Sequence, residues 1–206
     1  MFKEYKKLIY VIICTIAAIF ISGAIIVRGF FYAPSDEVTL PSYLENSLVN
    51  KANPNTTANL FPKILHIPAI NVSANIQYVG ITKKGNMATP NNFIDVGWYK
   101  YGPLPGAIGS AIIAGHVDDG FALPAVFSNL NKLKIGDNIY VETEGGDIIH
   151  FVVTDKKIYD YNAPTEDIFN QNDSSLLKLI TCAGVWNEQY GTHDKRLVVT
   201  AVKSST

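Results

Sequence analysis

The sequence predicts an all-β fold, a closed barrel of about seven to eight short strands with one or two short helices, set behind one N-terminal transmembrane helix. Three observations carry this reading. Short apolar or alternating runs recur from Phe61 onward, turn-forming clusters separate them, and the stretch from Leu8 to Val27 holds no charged residue. Closure into a barrel is favoured over an open sheet because the sequence offers few ways to cap strand edges. Hydrophobic residues make up 48% of the 206 and charged residues 17%, enough apolar material for a packed core and too little charge for a disordered chain. The net charge of -1, with no basic patch interleaved with aromatics, argues against a nucleic-acid binder that relies on a broad basic footprint.

Taken in order, residues 1–28 read as a cytoplasmic tip and membrane anchor. Lys3, Lys6 and Lys7 precede an uncharged apolar stretch of about 20 residues, long enough to cross a bilayer as a helix. The lysines outnumber the single Arg28 on the far side, which favours an N-terminus in the cytoplasm and the rest of the chain outside. A cleaved signal peptide is the competing reading, but apolar sequence resumes at Ile25-Ile26-Val27 after the small residues Ser22-Gly23-Ala24. Cys14 lies within the span and reads as a small apolar membrane residue.

Residues 29–60 read as an extracellular stem, polar and broken by Pro34, Pro41 and Asn53-Pro54-Asn55-Thr56-Thr57, with a weakly supported short helix around Leu44 to Lys51. The main folded domain is placed at 61–206. Its strands are expected at Lys63–Ile67, Ala74–Val79, Ser110–Gly115, Asn138–Glu142, Ile148–Tyr159, Leu176–Thr181 and Leu197–Lys203. Lys134-Ile135-Gly136-Asp137 and Glu144-Gly145-Gly146-Asp147 are turn signals, the second reading as a hairpin. Short helices are expected near Ala125–Leu130, where Pro124 suits a helix start, and near Thr165–Asn170.

Cys182 is the only cysteine beyond the apolar N-terminal stretch, so it has no disulfide partner there. A free thiol outside the cell is open to oxidation, and retaining one points to a use as a nucleophile. It closes one apolar run, and Arg196 opens the next. If the two strands pair antiparallel, the guanidinium comes beside the thiol and can stabilise an oxyanion; Lys195 replaces it if the register slips by one. His116, delivered by Ala111-Ile112-Ile113-Ala114-Gly115, is the candidate base, with His193 in the segment between Cys182 and Arg196 as its rival. His66 and His150 sit in strand-like runs and read as structural or surface residues. Cys182, His116, His193 and Asp118 lack the closely spaced pairs typical of zinc ligands, so no metal or other cofactor is expected.

At these residues the chain resembles the sortase family of membrane-anchored cysteine transpeptidases. Leu177-Lys178-Leu179-Ile180-Thr181-Cys182 is similar to the family's strand ending in Thr-Cys, Arg196 with the apolar run after it to its arginine motif, and Ala114-Gly115-His116 to its Gly-His. Ile67-Pro68-Ala69-Ile70-Asn71-Val72, Val96-Gly97-Trp98-Tyr99 and Pro105-Gly106 extend the likeness, which covers about residues 62 to 203 in the family order. His116-Val117-Asp118 and Leu123-Pro124-Ala125-Val126-Phe127 look closest to the single-domain class F or a relative, while the segment after Cys182 departs from that pattern.

The resemblance implies a sortase-like β-barrel and a two-step acyl transfer. Cys182 attacks the Thr–Gly carbonyl of a sorting signal resembling Leu-Pro-x-Thr-Gly, His116 serves as acid and then base, and Arg196 holds the substrate backbone and oxyanion. It also implies partners: surface proteins bearing a C-terminal sorting signal, and an amine acceptor from a cell-wall precursor or a pilin lysine. Thr181, Asp118 and His193 are weaker candidates for supporting roles, Asp118 through the His116 imidazole. The alternative function is an anchored, catalytically idle barrel that binds peptides or surface partners.

Overall fold

The computed structural model describes residues 12–21, 32–33, 37–38, 58–169 and 173–205. They fall into two units, one ending at Tyr32 and one beginning at Ala33. In the first, residues 12–21 are helical. No helix among the described residues is long and apolar enough to cross a membrane. The expected span from Leu8 to Val27 lies partly outside the described residues, and the helix expected around Leu44 to Lys51 lies wholly outside them.

The second unit is an eight-stranded closed barrel: β1 Pro62–Ile67, β2 Val72–Val79, β3 Val96–Tyr99, β4 Gly109–Ala114, β5 Asn138–Thr143, β6 Ile148–Asp160, β7 Ser175–Asn187 and β8 Thr192–Lys203. Around the ring the order is β1-β2-β3-β4-β7-β8-β6-β5, and β5 closes onto β1. Two pairs, β2 with β3 and β4 with β7, run parallel. The turn between β1 and β2 is a 3-10 helix, Pro68–Ile70, ended by Asn71 in the left-handed region at φ 54°, a conformation asparagine tolerates better than most residues. The β5–β6 hairpin turns through residues 144–147 with Gly146 at φ 86°.

Three expectations change. β3 was recognisable only as a family-like motif; four residues are too few to show alternation, and parallel pairing with β2 is what makes them a strand. The segment near Ala125–Leu130 is a series of tight turns leading into a 3-10 helix at Leu130–Lys132, because the Phe127 amide is drawn to the His116 carbonyl at 2.9 Å rather than to its own turn. The second expected helix is present, as the single turn Glu166–Phe169. The largest change concerns residues 183–195, which lie between the strands expected at Leu176–Thr181 and Leu197–Lys203: most of them extend β7 and β8.

The interior is filled by inward residues from every strand, among them Leu65, Ile67, Trp98, Ile113, Val141, Phe151, Leu179 and Val199. Burying each such side chain contributes about 1.5–3 kcal/mol. Trp98 satisfies its one polar group by donating Nε1–H to the Pro103 carbonyl at 3.1 Å. Alternate residues face outward, and on β4, β7 and β8 these form a second apolar patch. Ile112, Ile180 and Val198 pack there with Ile168 and Phe169 of the segment after β6. Lys178, almost fully buried beneath that segment, donates Nζ–H to the Ile168 carbonyl at 3.0 Å.

Part of the region read as stem also touches the barrel. Ala33 is buried and donates its N–H to the Asn91 carbonyl, Val38 donates to the Ile81 carbonyl, and the Glu37 carboxylate accepts the Gly80 N–H at 2.9 Å.

Candidate active site

β7 and β8 pair antiparallel with Cys182 directly opposite Arg196. Cys182 shares the parity of Ile180, and Arg196 that of Val198, so both side chains stand on the outer face of the barrel beyond the apolar patch. Lys195 is turned away into an ion pair with Asp160 at 2.5 Å, which leaves the guanidinium as the cation at the thiol. Just past the pair, β7 carries one extra residue between Ala183 and Trp186. Gly184 takes φ 78° there, and a side chain on it would collide with the Asp194 carboxylate. That carboxylate instead accepts the Val185 N–H at 2.9 Å, which locks the bulge.

Thr192 and Arg196 are four residues apart, roughly 13 Å along an ideal strand. Yet Arg196 Nη2 donates to Thr192 Oγ1 at 2.8 Å, while Nη1 donates to the carbonyls of His193 and Lys195, each at 2.8 Å. The Thr192 hydroxyl also pulls the Cys182 thiol down by side-chain hydrogen bonding. Its oxygen accepts from arginine, which leaves its proton free to serve the sulfur. Burial pushes the Cys182 thiol up from its ordinary range; the Arg196 charge and the Thr192 hydrogen bond pull it down, and the Asp118 carboxylate opposes them. Burial prevails, so the resting group is a thiol and must be deprotonated to react.

His116 reaches the same rim from β4. The parallel register Ala114↔Ile180 puts His116 level with Cys182 two residues on. Two bonds hold the junction: Gly115 N–H to the Ile180 carbonyl at 3.0 Å, and the buried Thr181 hydroxyl to the Gly115 carbonyl at 2.8 Å. Thr181 thus ties the strand of the thiol to the strand of the histidine. Gly115 is required by space, because a Cβ there would lie 2.6 Å from the Phe127 ring. The His116 ring packs against Phe93, with centroids 5.0 Å apart, and Nε2 lies 3.0 Å from the Pro90 carbonyl. A carbonyl only accepts, so Nε2 carries a proton and Nδ1 is the basic nitrogen of the neutral ring.

Asp118 engages a histidine, but its partner is His193, with Oδ2 3.3 Å from Nε2. His66 and His150 are far from this chemistry in the chain's arrangement, the first beside Ser73 and Glu142, the second bonded to Asn138 and stacked on Tyr140. Thr192 was missed from sequence. Its only sequence-level signal is its place in Thr192-His193-Asp194-Lys195-Arg196, whose polarity conceals a strand.

A thiol, a guanidinium with its donors fixed, a hydroxyl free to serve the sulfur and a histidine with one free ring nitrogen together suit nucleophilic attack on a carbonyl. A family model of the sortase domain matches residues 65–204. The chain belongs to the sortase family. None of the curated proteins matches it. Among solved structures, sortase C1 of Streptococcus agalactiae is 20% identical, with a TM-score of 0.58 over 84% of this chain and 81% of that one. Sortase C-1 of Actinomyces oris is 25% identical, with a TM-score of 0.55 over 82% and 84%. The sortase C1 of GBS pilus island 1 is 23% identical, with a TM-score of 0.52 over 69% of this chain, which spans 65% of that one. These likenesses establish the sortase barrel. All three are named as sortases C, so the class F likeness of the residues after His116 finds no support among them.

Proposed function

We propose that this sortase-family chain is a cysteine transpeptidase acting on surface proteins whose C-terminal sorting signal resembles Leu-Pro-x-Thr-Gly. Cys182 transfers its proton to His116, and the sulfur attacks the threonine carbonyl carbon. Arg196, with Thr192 beside it, meets the negative charge that develops. Collapse of the tetrahedral species breaks the Thr–Gly bond, and the imidazolium returns its proton to the leaving glycine amine. This leaves a thioester on Cys182. An incoming amine then gives a proton to His116 and displaces the sulfur, forming a new amide and restoring the thiol. The acceptor is the amine of a cell-wall precursor or a pilin lysine; a neighbour named for a pilus island makes a pilin lysine the first acceptor to test.

The observation that carries this reading is the in-register pairing of Cys182 with Arg196 at the rim reached by His116. The same proposal makes the chain a single-pass protein of the cell membrane, its N-terminus cytoplasmic and the barrel outside, a reading supported by Lys3, Lys6, Lys7 and the uncharged stretch that follows. The decisive experiment incubates the protein with sorting-signal peptides and an amine, and looks for an acyl adduct on Cys182 by mass spectrometry. Cys182→Ala is expected to abolish both adduct and transfer. Equal turnover by that variant excludes the nucleophile, and failure to cleave a diverse peptide set would favour the idle, peptide-binding barrel.

A further inference from the structure

The His116 ring is held by a segment outside the eight strands. β2 and β3 run parallel, so the chain crosses between them through residues 80–95, and that crossover supplies both groups that meet the imidazole. One is the Pro90 carbonyl, 3.0 Å from Nε2, and the other is the Phe93 ring. The Pro90 carbonyl shares a planar peptide unit with the Asn91 N–H, which points the opposite way. That N–H donates to Oε1 of Gln77, on β2, at 3.1 Å. A single rigid peptide therefore has Gln77 at one end and His116 at the other. We infer that Gln77 is a positioning residue for His116, acting through the Pro90–Asn91 peptide, and that Asp95 fixes the orientation in which it does so. The effect on rate rests on His116 being the base of the proposed transfer; the placement of its ring does not.

The hydrogen bonds around Gln77 have one consistent direction. Its Nε2 donates to Asn91 Oδ1 at 2.9 Å and to Asp95 Oδ2 at 3.0 Å. A carboxylate only accepts, so Asp95 draws the Nε2 end of the amide to itself and turns Oε1 toward the Asn91 N–H. Asp95 is fixed in turn. Asn92 Nδ2 donates to it at 2.7 Å and Asn75 Nδ2 at 3.3 Å, while Asn92 Oδ1 accepts the Asp95 N–H at 2.7 Å. Ala33 adds a further tie by donating its N–H to the Asn91 carbonyl at 2.8 Å. A bond made by the Asn91 N–H polarises the peptide and strengthens its carbonyl as an acceptor. The Pro90 carbonyl then keeps a proton on Nε2 and leaves Nδ1 as the nitrogen that takes and returns the proton in the transfer. A network that merely stabilised the surface would have no bearing on which ring nitrogen is free.

The tautomer of His116 reads this directly and needs no activity. In the full chain carrying isotope-labelled histidine, nitrogen shifts measured at alkaline pH, where an imidazole is neutral, show which ring nitrogen holds the proton. The His116 signals are identified by their loss in His116→Asn. The native chain is expected to hold one tautomer, protonated at Nε2. Gln77→Met, which removes the amide at similar length, is expected to give a mixture of both tautomers. In the peptide-transfer assay it should lower kcat by about 10- to 100-fold, the scale set by a small misplacement of a reacting group, with KM little changed. Asp95→Asn, which frees the Gln77 amide to turn over, gives the same two changes from a second position. Combining Gln77→Glu with Asp95→Asn exchanges carboxylate and amide, so that an acceptor again faces the Asn91 N–H; the native tautomer and a large part of the rate should return. A single Nε2–H tautomer in both single variants, or losses that the exchange does not relieve, overturn the inference. If Cys182→Ala keeps its turnover while the tautomer changes hold, the transpeptidase reading fails and the placement of His116 by Gln77 stands.

Discussion

Replacing Thr192 by valine removes one hydroxyl at nearly constant volume, and the site geometry sets the size of the consequence. That hydroxyl has two roles at once: it accepts from Arg196 Nη2 at 2.8 Å and pulls the Cys182 thiol down by hydrogen bonding. The guanidinium stays in place, because Nη1 is still held by the His193 and Lys195 carbonyls. The loss therefore falls mainly on the sulfur as it gains charge. A hydrogen bond to a charged group is worth about 1.5–3 kcal/mol, which corresponds to a fall in kcat/KM of about 10- to 150-fold. The assay is peptide transfer under substrate-limited conditions, paired with the pH profile of Cys182 alkylation, whose midpoint should move to higher pH. Thr192→Ser keeps the hydroxyl and should recover most of the rate. A valine variant within about twofold of the native rate, or a serine variant equally impaired, refutes the claim that this hydroxyl serves the sulfur.

Three further outcomes are expected. Arg196→Ala should lower kcat/KM by about 10²–10³-fold, and Arg196→Lys should rescue little of it, because one ammonium cannot reproduce a planar fork serving three acceptors at fixed positions; full activity in the lysine variant would count against the fork. The Cys182 thiol is raised above its ordinary 9.0 by burial, so the folded chain keeps a proton that the unfolded chain releases. Its contribution to stability is then complete below about pH 9 and is lost as pH climbs through the raised value, so urea titrations should show the difference between the native protein and Cys182→Ser shrinking at alkaline pH; a constant difference would contradict the burial. Gly115→Ala sets a Cβ 2.6 Å from the Phe127 ring, and the resulting overpacking should cost about 1–3 kcal/mol, read as a lowered Tm together with reduced transfer as His116 shifts; an unchanged Tm would show that the ring yields freely.

The barrel and the thiol–arginine pair were legible because each rests on short-range pattern. Leu176 to Thr181 and Leu197 to Val202 are apolar runs that can only be strands, and a hairpin between them brings Cys182 to Arg196 without further knowledge of the fold. The extension of that hairpin was not legible. Gly184 interrupts the alternation of β7, while Val185 and Trp186 are exposed and Thr192 to Lys195 are all polar, so the segment lacks the one-sided apolar pattern that marks a buried strand. Asp118 was singled out as a partner for an imidazole, and it is one, but the imidazole is that of His193; sequence distance favoured His116, and the contact with His193 joins segments far apart in the chain. The carbonyl of Pro90, which fixes the protonated nitrogen of His116, lies 26 residues upstream and leaves no trace in the sequence.

The parallel pairing of β4 with β7 has a kinetic consequence. The thiol and the guanidinium come together by closing one local hairpin, whereas His116 joins them only when two strands separated by all of β5 and β6 are laid side by side. Closing the longer loop costs more chain entropy and comes later in folding. A chain in which only that hairpin has formed therefore holds a thiol with its arginine but without its base, and such an intermediate is slow to acylate. Reactivity is switched on by the long-range pairing of β4 with β7, so the protein gains its chemistry only once those two strands lie side by side.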